Sequence, residues 1–150
     1  MTTKSGPHRS CGCILNFLNA LSAANGGSPT LAPGDLPPAL DLEVTNGAAP
    51  ADLIAGAAAW LATVAAATGK IPIVYTFVYF WRTTLGNPTD LSTYPLWIAE
   101  LNAAQSIVPG GWSSWLFWQF AAQQLAGVPS ATTDLDAFNG SLADLQALAG

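Results

Sequence analysis

The chain has 150 residues, of which 51% are hydrophobic and 9% charged. That length suits one ordinary domain, and the apolar content rules out an intrinsically disordered chain. Four Lys and Arg against nine Asp and Glu leave a net charge of −5, which argues against any partner held through a phosphate backbone and predicts no nucleic-acid binding.

Residues 1–13 read as irregular. Lys4, His8 and Arg9 stand ahead of the apolar block Cys11 to Leu21 and imitate a secretion signal weakly. Asn16 and Asn19 interrupt that block at helical spacing. It therefore reads as a short amphipathic helix, Ile14 to Ala24, with Ile14, Phe17, Leu18 and Leu21 on one face. No signal peptide is evident, and localisation stays open. Cys11 and Cys13 are separated by one residue. A disulfide there would be strained and two thiols make a poor metal site, so both are expected to be unpaired.

A loop follows through Asn25-Gly-Gly-Ser-Pro-Thr30 and Pro33-Gly34-Asp35. Ala39 to Glu43 reads as a short strand. A helix is predicted from Pro50 to Thr68, with Pro50 in its first turn, Asp52 at the positive end of the dipole and Gly69 as its stop. Leu53, Ala57, Trp60, Leu61 and Val64 form its buried stripe. Its apolar core, Leu53 to Ala67, falls short of the roughly 18–20 residues a bilayer demands, so no membrane span is expected. Ile71 to Thr76 reads as a strand buried on both faces, and strand–helix–strand with short links predicts a parallel βαβ unit. Tyr79 to Leu85 reads as a helical turn. Leu96 to Glu100, Ser114 to Phe120 and Thr132 to Ala137 read as three further strands. Ser141 caps a last helix with Asp144 as its capping-box partner, and Leu142, Leu145 and Leu148 are expected to face inward.

Against this apolar background, Asp41 and Glu43 share one strand. Side chains alternate along a strand, so residues i and i+2 point the same way, with Cα atoms roughly 6.5–7 Å apart. Two carboxylates at that spacing suit a division into one acid and one base, which cleavage of a glycosidic bond requires. A plain strand end with two solvated acids fits the same residues. Six Trp among so few charges hint at a surface that stacks on neutral ligands such as sugars, although a single Trp is more often a core residue. Nothing in the sequence asks for a metal or another cofactor.

Five segments then stand in one order: Leu36-Pro-Pro-Ala-Leu-Asp-Leu-Glu43, Thr68-Gly-Lys-Ile-Pro-Ile-Val-Tyr-Thr76, Tyr94-Pro-Leu-Trp-Ile-Ala99, Gly111-Trp-Ser-Ser-Trp-Leu-Phe-Trp-Gln119 and Asp134-Leu-Asp-Ala-Phe-Asn-Gly-Ser141. Together they resemble the catalytic domain of glycoside hydrolase family 25, the muramidases or Chalaropsis-type lysozymes, over about residues 14–150. The resemblance implies an α/β fold, an irregular β/α (TIM-like) barrel of five βα units and three further strands, of which this chain carries the later part. It implies a hydrolase that cuts the β-1,4 bond between N-acetylmuramic acid and N-acetylglucosamine in peptidoglycan, usually outside the cell or in its wall. Glu43 maps onto the general acid. Asp41 maps onto the partner that stabilises positive charge or orients the substrate's acetamido group. Asp134 maps onto a further acid near the last strand, and Tyr75, Trp97 and Trp118 onto an aromatic groove.

The family's Gly-Ile-Asp-like first strand, the next strand and the Tyr-His-Phe-like third strand have no counterpart here. A partial barrel is therefore expected, with open edges that invite self-association. That reading implies a truncated copy or a gene start placed downstream, and low turnover from the isolated chain. The alternative function is an inactive remnant or a cell-wall carbohydrate-binding protein.

Overall fold

The computed structural model describes residues 8–129 and 131–150. Five strands form one sheet in the order β1-β2-β3-β4-β5: Ala39–Asp41, Ile73–Phe77, Leu96–Ala99, Phe117–Gln123 and Thr133–Phe138. β1 to β4 are parallel, and β5 returns antiparallel to β4. The fold is α/β, and the sheet is open between β1 and β5.

Helix α1 spans His8–Ala24. Residues 8–13, expected to be irregular, are helical. Residues 1–7 lie outside the described residues. Cys13 is exposed and unpaired.

Helix α2 spans Pro50–Thr68, with Pro50 in its first turn and Gly69 at φ 73° ending it. Only glycine takes that left-handed corner without strain. Ile54, Ala57, Trp60, Leu61 and Val64 are buried, while Leu53 packs partly against the same core. Among the described residues α2 is the single helix with the length and apolarity of a bilayer span. Its buried stripe packs with Leu42 and Val74 of the sheet side and with Phe80, Trp81, Leu85 and Leu91, so it is the core helix.

Alternation sorts the sheet into two faces. Leu40, Val74 and Leu96 are register partners on one face, as are Thr76, Ile98, Trp118 and Ala137 further along. Val74, Thr76 and Ile98 are fully buried there. The other face carries the row Asp41, Tyr75, Trp97, Phe117 and Phe138. Tyr75 and Phe77 are only half-buried. β2 is thus buried on both faces at its start, where Ile73 is 2% exposed, and opens on the Tyr75 side only towards its end.

A π-helical turn, Phe80–Thr84, follows β2 and buries Phe80 and Trp81. The Trp81 indole N–H donates to the Pro88 carbonyl at 3.0 Å. Gly110, at φ 62°, lies so close that a Cβ there would collide with Trp81 Nε1 and the Pro88 oxygen. Its own N–H donates to Asn87 Oδ1 at 2.8 Å. The loop before β4 is thereby docked on the turn after β2.

Helix α3 spans Leu142–Ala149 and has the expected capping box, Asp144 N–H to Ser141 Oγ and Ser141 N–H to Asp144 Oδ2. Hydrogen bonds from the Ser141 side chain and then its backbone hold the Asp144 carboxyl below the usual range. Leu142 is 71% exposed, correcting its inward assignment: periodicity defines a face without saying how far along the helix that face is covered. At the other end, the Lys70 ammonium donates to Asp35 O at 2.6 Å, to Leu148 O at 3.5 Å and to Ala149 O.

Candidate functional site

β1 ends at Asp41, but Leu42 N–H still donates to Tyr75 O at 2.9 Å, and the buried Thr76 hydroxyl donates to Leu42 O at 2.8 Å. These two bonds carry the ladder past the formal strand end and fix Glu43 one step beyond it. Glu43 lines a cavity of about 580 Å³ with Tyr75, Phe77, Arg82, Glu100 and Gln119. The cavity opens where the parallel strands end, the rim that carries chemistry in barrel enzymes.

Tyr75 is the hub. Its hydroxyl donates to Gln119 Oε1 at 2.6 Å. Burial, then the charge and hydrogen bond of Glu43, then the charges of Asp41 and Asp134, push its ionisation far above the usual phenol range. Three acids singled out from the sequence, Glu43, Asp41 and Asp134, therefore act on the one Tyr75 hydroxyl. Asp41 is exposed and stands outside the cavity lining. An alkaline titration followed by ultraviolet absorbance should show one tyrosine that resists ionisation, absent in Tyr75→Phe. Glu43→Gln removes a nearby anion, so this step should move to lower pH; an unmoved step would separate Glu43 from Tyr75.

Trp97 joins the group edge-on to Tyr75, with centroids 5.3 Å apart and planes at 80°. Its indole N–H donates to Asp136 Oδ1 at 2.7 Å, and Phe117 packs on its other side at 5.5 Å. Trp118 does not join. It pairs in register with Ile98, on the opposite face from Trp97, and its indole N–H donates to Glu100 O at 3.0 Å. The aromatic wall is completed by Phe117, one residue earlier, because strand parity exchanges the two.

Sequence reading missed Gln119 and Asp136. Gln119 is 8% exposed, and its register partner on β5 is Asp136. Asp136 repeats the spacing of the first pair: Asp134-x-Asp136 mirrors Asp41-x-Glu43. That repetition was the available signal. Phe120 is the extra residue of a bulge between Gln119 and Ala121, which keeps Ala122 opposite Asp134 while both acids stay on the aromatic face. Among the described residues no three His, Cys, Asp or Glu side chains gather as metal ligands.

The sequence profile of Glycosyl hydrolases family 25 matches residues 16–128. The chain belongs to glycosyl hydrolases family 25. Lysozyme M1 of Streptomyces globisporus is 35% identical over 85 residues, 56% of this chain and 29% of that protein. The N,O-diacetylmuramidase of Arthroderma benhamiae is 32% identical over 133 residues, 84% of this chain and 54% of that protein. Among solved structures, the bacterial lysozyme from Streptomyces coelicolor superposes with a TM-score of 0.69 at 30% identity, covering 76% of this chain and 56% of that one. This family 25 chain thus spans about half the length, or less, of those relatives.

Proposed function

We propose that the chain acts on peptidoglycan glycan strands as a lysozyme-type glycoside hydrolase, cutting between N-acetylmuramic acid and N-acetylglucosamine. Its five strands are read as the later part of an irregular β/α barrel. The observation that carries the proposal is Glu43, which lines the cavity at the strand ends beside Tyr75. Names of family relatives that are lysozymes and muramidases support it.

In this reading Glu43 gives its proton to the leaving glycosidic oxygen. Asp41 and Asp134 keep a negative field over the sugar that develops positive charge, or orient its acetamido group. Tyr75 and Trp97 offer rings to the C–H faces of the sugars. Arg82, the cation on the cavity wall, suits the carboxyl groups of the peptide stems.

The test is to incubate the purified chain with peptidoglycan, reduce the products with borohydride and identify the new ends. Muramicitol is the expected product. Glucosaminitol would overturn the assigned bond. No new ends, with retained adsorption to insoluble wall that Trp97→Ala removes, would favour the carbohydrate-binding remnant.

A further inference from the structure

We propose that Asp136 is a positioning residue, whose carboxylate fixes the Trp97 indole at right angles to Tyr75 so that the two rings form one seat for an N-acetylhexosamine unit. The inference deepens the glycan-acting reading above and rests on it.

Each ring of the seat is anchored at its polar end. The Tyr75 hydroxyl is held by Gln119 at 2.6 Å and the Trp97 N–H by Asp136 at 2.7 Å. Gln119 and Asp136 are direct register partners on β4 and β5. One rung of the antiparallel ladder therefore sets both rings, although the rings themselves stand on β2 and β3. An indole has a single N–H, so the Asp136 bond is the one polar restraint on Trp97 rotation. A bond from N–H to a carboxylate is stronger than one to a neutral acceptor.

Asp136 also makes the seat sensitive to acid. Burial raises its proton affinity, the Trp97 bond pulls the other way, and the Asp134 charge raises it again; the net direction is up. Acidification therefore neutralises this acceptor earlier than an ordinary aspartate. The other ionisable groups around the seat are Asp134 on the same strand, Asp41 and Glu43 beyond Tyr75, and Arg82 and Glu100 on the cavity wall.

The probe is chitotriose, three β-1,4-linked N-acetylglucosamine units, titrated calorimetrically into the full chain near neutral and near acid pH. The Trp97 indole N–H is followed by NMR, assigned through Trp97→Phe. Wild type should bind and weaken on acidification, with the indole signal moving in step. Asp136→Leu should weaken neutral-pH binding by about tenfold, the scale of one hydrogen bond to a charged group, and on peptidoglycan its loss should fall on KM. Asp136→Asn keeps only a neutral carbonyl acceptor, as the protonated carboxyl does, so at neutral pH it should bind about as weakly as acidified wild type and lose the acid sensitivity of the indole signal. Wild-type affinity in Asp136→Leu, an unchanged acid response in Asp136→Asn, or no chitotriose binding by wild type would each overturn the inference. Failure to release muramic ends, with the Asp136 pattern intact, would overturn the hydrolase reading alone.

Discussion

If the chain is the peptidoglycan hydrolase proposed above, with Glu43 as its acid, Glu43→Gln is expected to cut turnover by about a thousandfold, within the 10²–10⁴ that a positioned proton donor typically contributes. The change is nearly isosteric. It keeps the cavity wall and removes the transferable proton, so the loss should appear in kcat with KM little changed. Circular dichroism and the urea midpoint should match wild type, since Glu43 lies at the rim rather than in the core. Asp41→Asn makes a useful contrast. It stands in register with Tyr75 but outside the cavity lining, so its effect should be smaller and should arise through the field over the sugar. Equal turnover in wild type and Glu43→Gln would remove Glu43 from the acid role.

The second large effect concerns stability. Trp81→Ala should destabilise the fold by about 3–5 kcal/mol, the usual cost of truncating a buried aromatic. Trp81 is fully buried, packs on Trp112 at 4.8 Å and 62°, and satisfies the Pro88 carbonyl. Removing it opens a void, strips that carbonyl of its donor, and leaves Gly110 without the surface it docks against. The urea midpoint should fall at unchanged slope. A loss under about 1 kcal/mol would show that the π-helical turn lies outside the cooperative core. Because Arg82 rides on this turn, the same variant should loosen one cavity wall.

What could be read from the sequence was local in origin. α2 has the bounds expected of it, since Pro50 and Gly69 act on their own backbone whatever surrounds them. The Ser141–Asp144 capping box was equally visible. β4 was not: its expected span, Ser114 to Phe120, slides to Phe117–Gln123. Pairing with β5 decides it, drawing in Ala121 to Gln123 that propensity alone would leave out.

The site was half legible for the same reason. Asp41, Glu43, Tyr75 and Asp134 stood out by chemistry and by resemblance, and the three acids each raise the pKa of the Tyr75 hydroxyl. Trp118 looked as good as any other tryptophan. Strand parity puts it on the face opposite Trp97 and sets Phe117 beside Trp97. Asp136 became meaningful only when register set it across from Gln119.

Lys70 joins Asp35 to Leu148 and Ala149, points far apart in the chain. Its three donors reach the segment ahead of β1 and the final turn of α3, so the head and tail of the sheet are bound together by an amine where a secreted protein of this size would often use a sulfur bridge. Such a tie restricts where the last helix can wander while leaving the sheet free to flex. Because it depends on one protonated nitrogen, acylation of that nitrogen would unfasten the molecule at its closing seam without breaking a covalent link in the chain.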